Sequence, residues 1–208
     1  LMNNFLKRAL SSIILLPLSI YLISAGSIYL LFFTSICFFV SIYEWNNMVK
    51  KIELKCLGIL FLIFSFYTFY NLSTNIFWIF VLFVCVCTDV GGYIFGKLFK
   101  GPKLTKISPN KTYSGMIGGF LLSLIFLSYF IDSIYLSAHV SLEWFIVTIL
   151  ISSASQIGDI IISYFKRLSK VKDTGKIIPG HGGLLDRIDG MIFAFPIFYL
   201  IEMTGYLP

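Results

Sequence analysis

Gln156, Asp159, Ser163 and Lys166 recur at i, i+3, i+7 and i+10, and the run that holds the first three, 144–165, is otherwise almost wholly apolar. Helical periodicity stacks the four into one polar stripe. A carboxylate inside so apolar a helix is costly unless it faces a watery cavity, a partner charge or an ion. Next come Lys166, Arg167, Lys170, Lys172 and Lys176, a dense set of cations suited to phosphate groups. Pro179-Gly180-His181-Gly182-Gly183 is a loop whose glycines let backbone N–H groups approach a ligand closely. Asp186 and Asp189 close the stretch, three apart and so on one face as the next apolar helix begins.

A second stretch with chemistry in it is 88–115. Asp89 lies eight residues before Lys97, and Asp159 seven before Lys166. At ~1.5 Å rise per residue, both carboxylates sit roughly 10–12 Å below their helix ends. Two acids at one depth beneath the two most basic loops imply one polar cavity opening on the basic side. The glycines Gly118-Gly119 in the following run suit close helix packing.

The elements that must carry these residues are membrane helices. The chain is 58% hydrophobic and 12% charged over 208 residues, with a mean hydropathy of +0.90. A soluble domain of this size cannot hide that much apolar surface. Seven apolar runs, 9–24, 27–43, 54–70, 76–95, 115–131, 144–165 and 191–206, are the candidate spans. The expected fold is therefore all-α and polytopic, with about seven transmembrane helices and a polar cavity open to the cytoplasm. It reads as one domain, in which 1–75 is mainly scaffold and 76–208 holds the catalytic helices and loops. Lys7-Arg8 ahead of the first run suits an uncleaved span better than a signal peptide.

All 16 Lys and Arg lie on alternate loops, and the opposite loops hold only Asp132, His139, Glu143 and Glu202. By the positive-inside rule the N-terminus and every basic loop are cytoplasmic. The net charge of +6 is thus explained by membrane topology, and no nucleic-acid partner is expected. Of the four cysteines, Cys85 and Cys87 point to different helix faces and make no metal clip.

The run Ser163-x2-Lys166-Arg167-x4-Lys172-Asp173-x-Gly175-x2-Ile178-Pro179-x-His181-Gly182-Gly183-Leu184-x-Asp186-Arg187-Ile188-Asp189 resembles the signature of the phosphatidate cytidylyltransferases, the CDP-diacylglycerol synthases. The loop Ser108-Pro109-Asn110-Lys111-Thr112-Tyr113-Ser114-Gly115 resembles that family's second motif. It departs from the motif in having Ser114 where a glutamate is usual, and Ile162 likewise stands where many members place glutamate. The resemblance implies an integral enzyme of the inner (cytoplasmic) membrane that joins CTP and phosphatidic acid into CDP-diacylglycerol. Pyrophosphate is released, with Mg²⁺ as cofactor and room for a second cation.

For such an enzyme the expected metal site is Asp159, from the polar stripe, with Asp186 and Asp189 of the signature. Lys166, Arg167, Lys172, Asp173, His181 and Arg187 become the catalytic set, with Lys166, Arg167 and Arg187 neutralising phosphate oxygens. Ser108, Lys111, Ser163, Gly182 and Gly183 become substrate contacts, with Lys111 and Ser108 clamping a phosphate, and Asp89 joins them from its depth in the helix. The substrates and the lipid bilayer are the expected partners, and relatives imply a homodimer.

Three other readings compete. Asp186-x2-Asp189-Gly190 resembles the start of the CDP-alcohol phosphotransferase motif, but no aspartate follows Asp189. A CTP-dependent polyprenol kinase would share the donor yet lacks so long a signature. A cation-coupled transporter using Asp89 and Asp159 predicts paired half-repeats and broken helices, and neither is visible.

Overall fold

The computed structural model describes residues 4–105, 107–108, 110–135, 141–178, 180 and 182–205. Among these, all the regular secondary structure is helical, with two isolated antiparallel bridges and no strand. The helices are α1 (Asn4–Ser24), α2 (Ser27–Met48), α3 (Ile52–Leu72), α4 (Phe77–Phe99), α5 (Tyr113–Tyr135), α6 (Leu142–Leu168), α7 (Leu185–Ile188) and α8 (Met191–Met203). Seven of them occupy the seven apolar runs. Five, α2 to α6, are long and apolar enough to cross a membrane. The apolar part of α1, Ile13–Ser24, and α8 are shorter. The 13 residues of α8 rise only ~20 Å against a hydrocarbon core of ~30 Å. The protein is thus an all-α polytopic membrane protein with five full-length spans and two short apolar helices among the described residues.

Between α1 and α2, Gly26 takes φ 63° and ψ −164°, a conformation open essentially to glycine alone, and so reverses the chain within two residues. Apolar helix propensity does the rest, because each run leaves its backbone no hydrogen-bond partner in lipid other than its own.

The helices form two compact units. One joins residues 1–75 to 165–188 and so contains α1, α2, α3, the last turn of α6 and α7. Residues 165–188 pack with the N-terminal helices. The core here is built on Trp45, whose ring meets Phe165 edge-on at 4.9 Å and whose Nε1 donates to the Leu54 carbonyl at 3.3 Å. Gly58 leaves the space that the indole fills.

The second unit comprises residues 76–164 and 189–208, with α4, α5, α8 and α6 up to Tyr164. Phe80 is fully buried, with Phe130 at 4.8 Å, Trp144 at 5.2 Å and Phe198 at 6.0 Å between ring centroids. Towards the other end, α4 and α5 approach backbone to backbone. A Cβ on Gly115 would stand 2.7 Å from the Gly92 carbonyl oxygen, and one on Gly91 2.8 Å from the Gly118 carbonyl carbon. Contact this close fixes α5, and with it the loop that precedes it, against the Asp89 end of α4. Thr88 and Ser152 share a buried hydroxyl–hydroxyl hydrogen bond of 2.8 Å that ties α4 to α6.

Candidate functional site

In the second unit the polar stripe of α6 meets the loop before α5. Lys111 Nζ pairs with Asp159 Oδ2 at 2.5 Å. The other carboxylate oxygen accepts from the Ser163 hydroxyl at 3.2 Å. Gln156 donates to the Met116 carbonyl at 3.5 Å. The loop is fixed by its own hydrogen bonds. Leu104 N–H donates to Lys111 O at 2.8 Å and Lys111 N–H to Ser108 O at 3.0 Å. Ser108 N–H donates to Thr105 Oγ1 at 3.1 Å. Thr112 Oγ1 accepts the Gly115 N–H at 3.1 Å and so caps α5. Ser114 bonds to Thr112 Oγ1 at 3.0 Å and donates to the Lys100 carbonyl at 3.2 Å. Ser114, the departure from the resembled motif, thus helps to close this chain's own loop.

These residues line a cavity of about 320 Å³ whose wall includes Asp89, Ser108, Asn110, Lys111, Gln156 and Asp159. It gathers two carboxylates, those of Asp89 and Asp159, with one lysine and several neutral oxygens in a small volume. Asp189, at the other end of the unit's chain, accepts the Gly190 N–H at 3.0 Å.

In the first unit the signature run folds into a loop built around Asp186. Lys166 Nζ donates to Asp186 Oδ1 at 2.8 Å, and the two side chains are only 12% and 4% exposed. Asp186 Oδ2 accepts the N–H groups of Thr174 at 2.8 Å and Gly183 at 3.0 Å. Burial works against the charge, yet the Lys166 ammonium and the two amides outweigh it and hold the Asp186 carboxyl below its ordinary range. Ile178 N–H closes the loop on the Gly182 carbonyl at 3.0 Å. Gly182 has φ 91°, and a Cβ there would also stand 3.1 Å from Asp186 Oδ2.

Arg167, Lys172, Asp173 and Arg187 are exposed on the outside of this loop, and Arg167 donates to the Val171 carbonyl at 3.5 Å. His181, with its neighbour Pro179, lies outside the described residues.

The structure therefore brings Lys111, Asp159 and Ser163 into direct contact, with Asp89 and Ser108 on the same cavity wall. It likewise brings Lys166 and Asp186 together with Gly182 and Gly183. Among the described residues, no three His, Cys, Asp or Glu side chains gather to hold a metal. Asp159 and Asp186 each pair with a lysine.

One residue escaped the sequence reading. Glu44 of α2 is 1% exposed and accepts from Thr174 Oγ1, Leu184 N–H and Leu185 N–H at 2.8–3.0 Å. The apolar run ends at 43, so Glu44 reads as the start of a loop. In fact α2 continues to Met48. Had that helix been extended, an acid near its end would have carried the same flag as Asp159.

Residues 51–204 match the cytidylyltransferase family. The chain is similar to the phosphatidate cytidylyltransferase of Rickettsia felis, at 34% identity over 97% of this chain and 93% of that protein. It is 37% identical to the Rickettsia bellii phosphatidate cytidylyltransferase over 76% of this chain and 74% of that protein. The Staphylococcus haemolyticus phosphatidate cytidylyltransferase is 46% identical over 55% of this chain and 44% of its own length.

Proposed function

The chain belongs to the cytidylyltransferase family, and on that premise we propose that it transfers CMP from CTP to phosphatidic acid, giving CDP-diacylglycerol and pyrophosphate. The enzyme is a nucleotidyltransferase, and the proposal places it in phospholipid biosynthesis at the cytoplasmic face of the inner membrane. Its main support is the near full-length likeness to a phosphatidate cytidylyltransferase. The same signature run folds into one hydrogen-bonded loop around Asp186.

Phosphatidate is a phosphate monoester, and its second pKa lies near ~6 by analogy with phosphoserine. Its anionic oxygen attacks the α-phosphorus of CTP, a new P–O bond forms, and the bond to the β-phosphate breaks as pyrophosphate leaves. No strong base is required. The obstacle is the meeting of two anions, so catalysis consists of positioning and charge stabilisation. Lys166, Arg167, Lys172 and Arg187 neutralise phosphate oxygens, Arg bidentately. Lys111 and Ser108 hold a phosphate at the cavity. Gly182 and Gly183, with His181, form the loop that lines the nucleotide. Asp173 orients the cations beside it.

The cavity wall offers the carboxylates of Asp89 and Asp159 with hydroxyl and amide oxygens beside them, a donor set that suits a hard oxygen-seeking cation such as Mg²⁺. Asp159, with Asp89, would hold it there. Such an ion supplies positive charge to a triphosphate and its departing pyrophosphate.

Purified protein in phosphatidate vesicles, given CTP labelled at the α-phosphorus, should yield lipid-bound label. Label transferred from the γ-phosphorus instead would make the protein a lipid kinase, and no lipid labelling from either position would reject both. The membrane face is tested separately by single cysteines in an otherwise cysteine-free chain. Glu53 and Lys170, both exposed, should be labelled from the cytoplasm, and exposed Thr74 from outside. Thr74 reacting only from the cytoplasm would overturn the orientation.

A further inference from the structure

Glu44 presents a carboxylate buried to 1% exposure near the end of an apolar helix. Its hydrogen-bond donors all come from the signature loop, 130 to 141 residues away in sequence. Oε1 accepts the Leu184 N–H at 3.0 Å, while Oε2 accepts the Leu185 N–H at 2.8 Å and the Thr174 hydroxyl at 3.0 Å. Glycine backbone forms the wall on both sides. A Cβ added to Gly175 would stand 2.9 Å from Glu44 Cδ, and one on Gly183 would stand 2.7 Å from the Gly175 nitrogen. Two limbs of the loop, 174–175 and 183–185, thus close around one carboxylate.

The donors are divided between two acids. Asp186 takes the N–H groups of Thr174 and Gly183; Glu44 takes the Thr174 hydroxyl and the next two amides, Leu184 and Leu185. The Leu184 amide lies immediately before α7 and the Leu185 amide opens it; α7 is a helix of four residues whose first N–H groups have no partner within it. So short a helix does not hold itself in place, and an acceptor from another element must satisfy it. A carboxylate does so with charge-assisted bonds, roughly twice as strong as neutral ones. A neutral side chain with one acceptor could not serve three donors.

We propose that Glu44 is a positioning residue for CMP transfer. By clamping both limbs of the signature loop it sets where Asp186 and Lys166 stand, without itself meeting substrate. This rests on the reading that the loop serves the transfer reaction. In Glu44→Gln the shape is kept, but the amide NH₂ must face at least one of the three donors whichever way it turns. Thr174→Val removes one donor at constant shape, and Thr174→Ser restores it.

Hydrogen exchange at the Leu184 and Leu185 amides should be at least about tenfold faster in Glu44→Gln, with α4 to α6 as protected as in the parent. The KM for CTP should rise about tenfold, the fold-change of one lost hydrogen bond to a charged group, at an unchanged KM for phosphatidate. Thr174→Val should shift both readouts in the same direction by less, and Thr174→Ser should leave them near the parent values. Should Glu44→Gln fail to insert, the Thr174 pair carries the test. Unchanged exchange at Leu184 and Leu185 overturns the clamp. Faster exchange with an unchanged KM for CTP makes Glu44 a packing residue and overturns its part in the reaction. Should the parent protein transfer no CMP to phosphatidate, the functional reading fails, and unchanged exchange would still overturn the clamp on its own.

Discussion

Asp186→Asn should reduce CMP transfer by at least about a hundredfold while leaving the protein inserted in the membrane. Asp186 gathers one ammonium and two amides at 2.8–3.0 Å. Asparagine keeps the size but offers only one acceptor oxygen and turns an NH₂ towards a donor. Lys166, whose side chain is 12% exposed, then loses its counter-charge. Removing one partner of a buried pair costs about 3–5 kcal/mol, equivalent to about a hundredfold or more. That energy is taken from the loop, because α2 to α6 form without it.

The pH dependence follows from the direction of the shift. The folded carboxyl titrates below its ordinary range, so its stabilising contribution is complete above an ordinary aspartate pKa of about 4 and fades only as the pH falls below that. Exchange at the Thr174 and Gly183 amides should stay slow down to about pH 4 and accelerate beneath it. Transfer at the parent rate in Asp186→Asn, measured with labelled CTP, would exclude Asp186 from the reaction.

The spans could be read from the sequence because lipid leaves an apolar run only one way to satisfy its backbone. Their ends could not. The polar residues Glu44, Asn46 and Asn47 interrupt the apolar pattern, yet the α2 backbone continues to Met48, and so the clamp was missed. The sequence marks both Asp159 and Lys111, but for different partners. Their ion pair joins residues far apart in sequence, and periodicity carries no information about such contacts. Asp186 and Asp189 share a face only if a helix runs through both. In fact α7 ends at Ile188, and the Asp186 side chain turns back to the amides of Thr174 and Gly183. Spacing shows which residues carry charge, whereas their partners depend on tertiary structure. The resemblance to a family signature filled that gap for function without giving the contacts.

Asp159→Asn should lower turnover by about a hundredfold or more, the usual consequence of removing one fixed electrostatic group at a reacting phosphate. The interest lies in what Lys111 does to that number. At rest the two form a pair of 2.5 Å, but their side chains are 32% and 24% exposed. Solvent screens such a contact, and a pair of this exposure is worth little to stability. If their mutual attraction were their whole purpose, Lys111→Ala would remove most of what Asp159→Asn removes. The double variant would then be no worse than the worse single one. If instead Asp159 takes a divalent cation in turnover while Lys111 turns to a phosphate oxygen of CTP, the two act on different partners. Their effects should then multiply. Asp159→Asn should raise the Mg²⁺ concentration needed for half-maximal rate, and Lys111→Ala should raise the KM for CTP at an unchanged Mg²⁺ requirement. Measuring both single variants and the double across a Mg²⁺ titration separates the cases. Multiplying losses with a metal shift in Asp159→Asn alone is the expected outcome. Non-additive losses with an unaltered Mg²⁺ requirement would reduce the pair to a structural contact and take the cation away from this cavity.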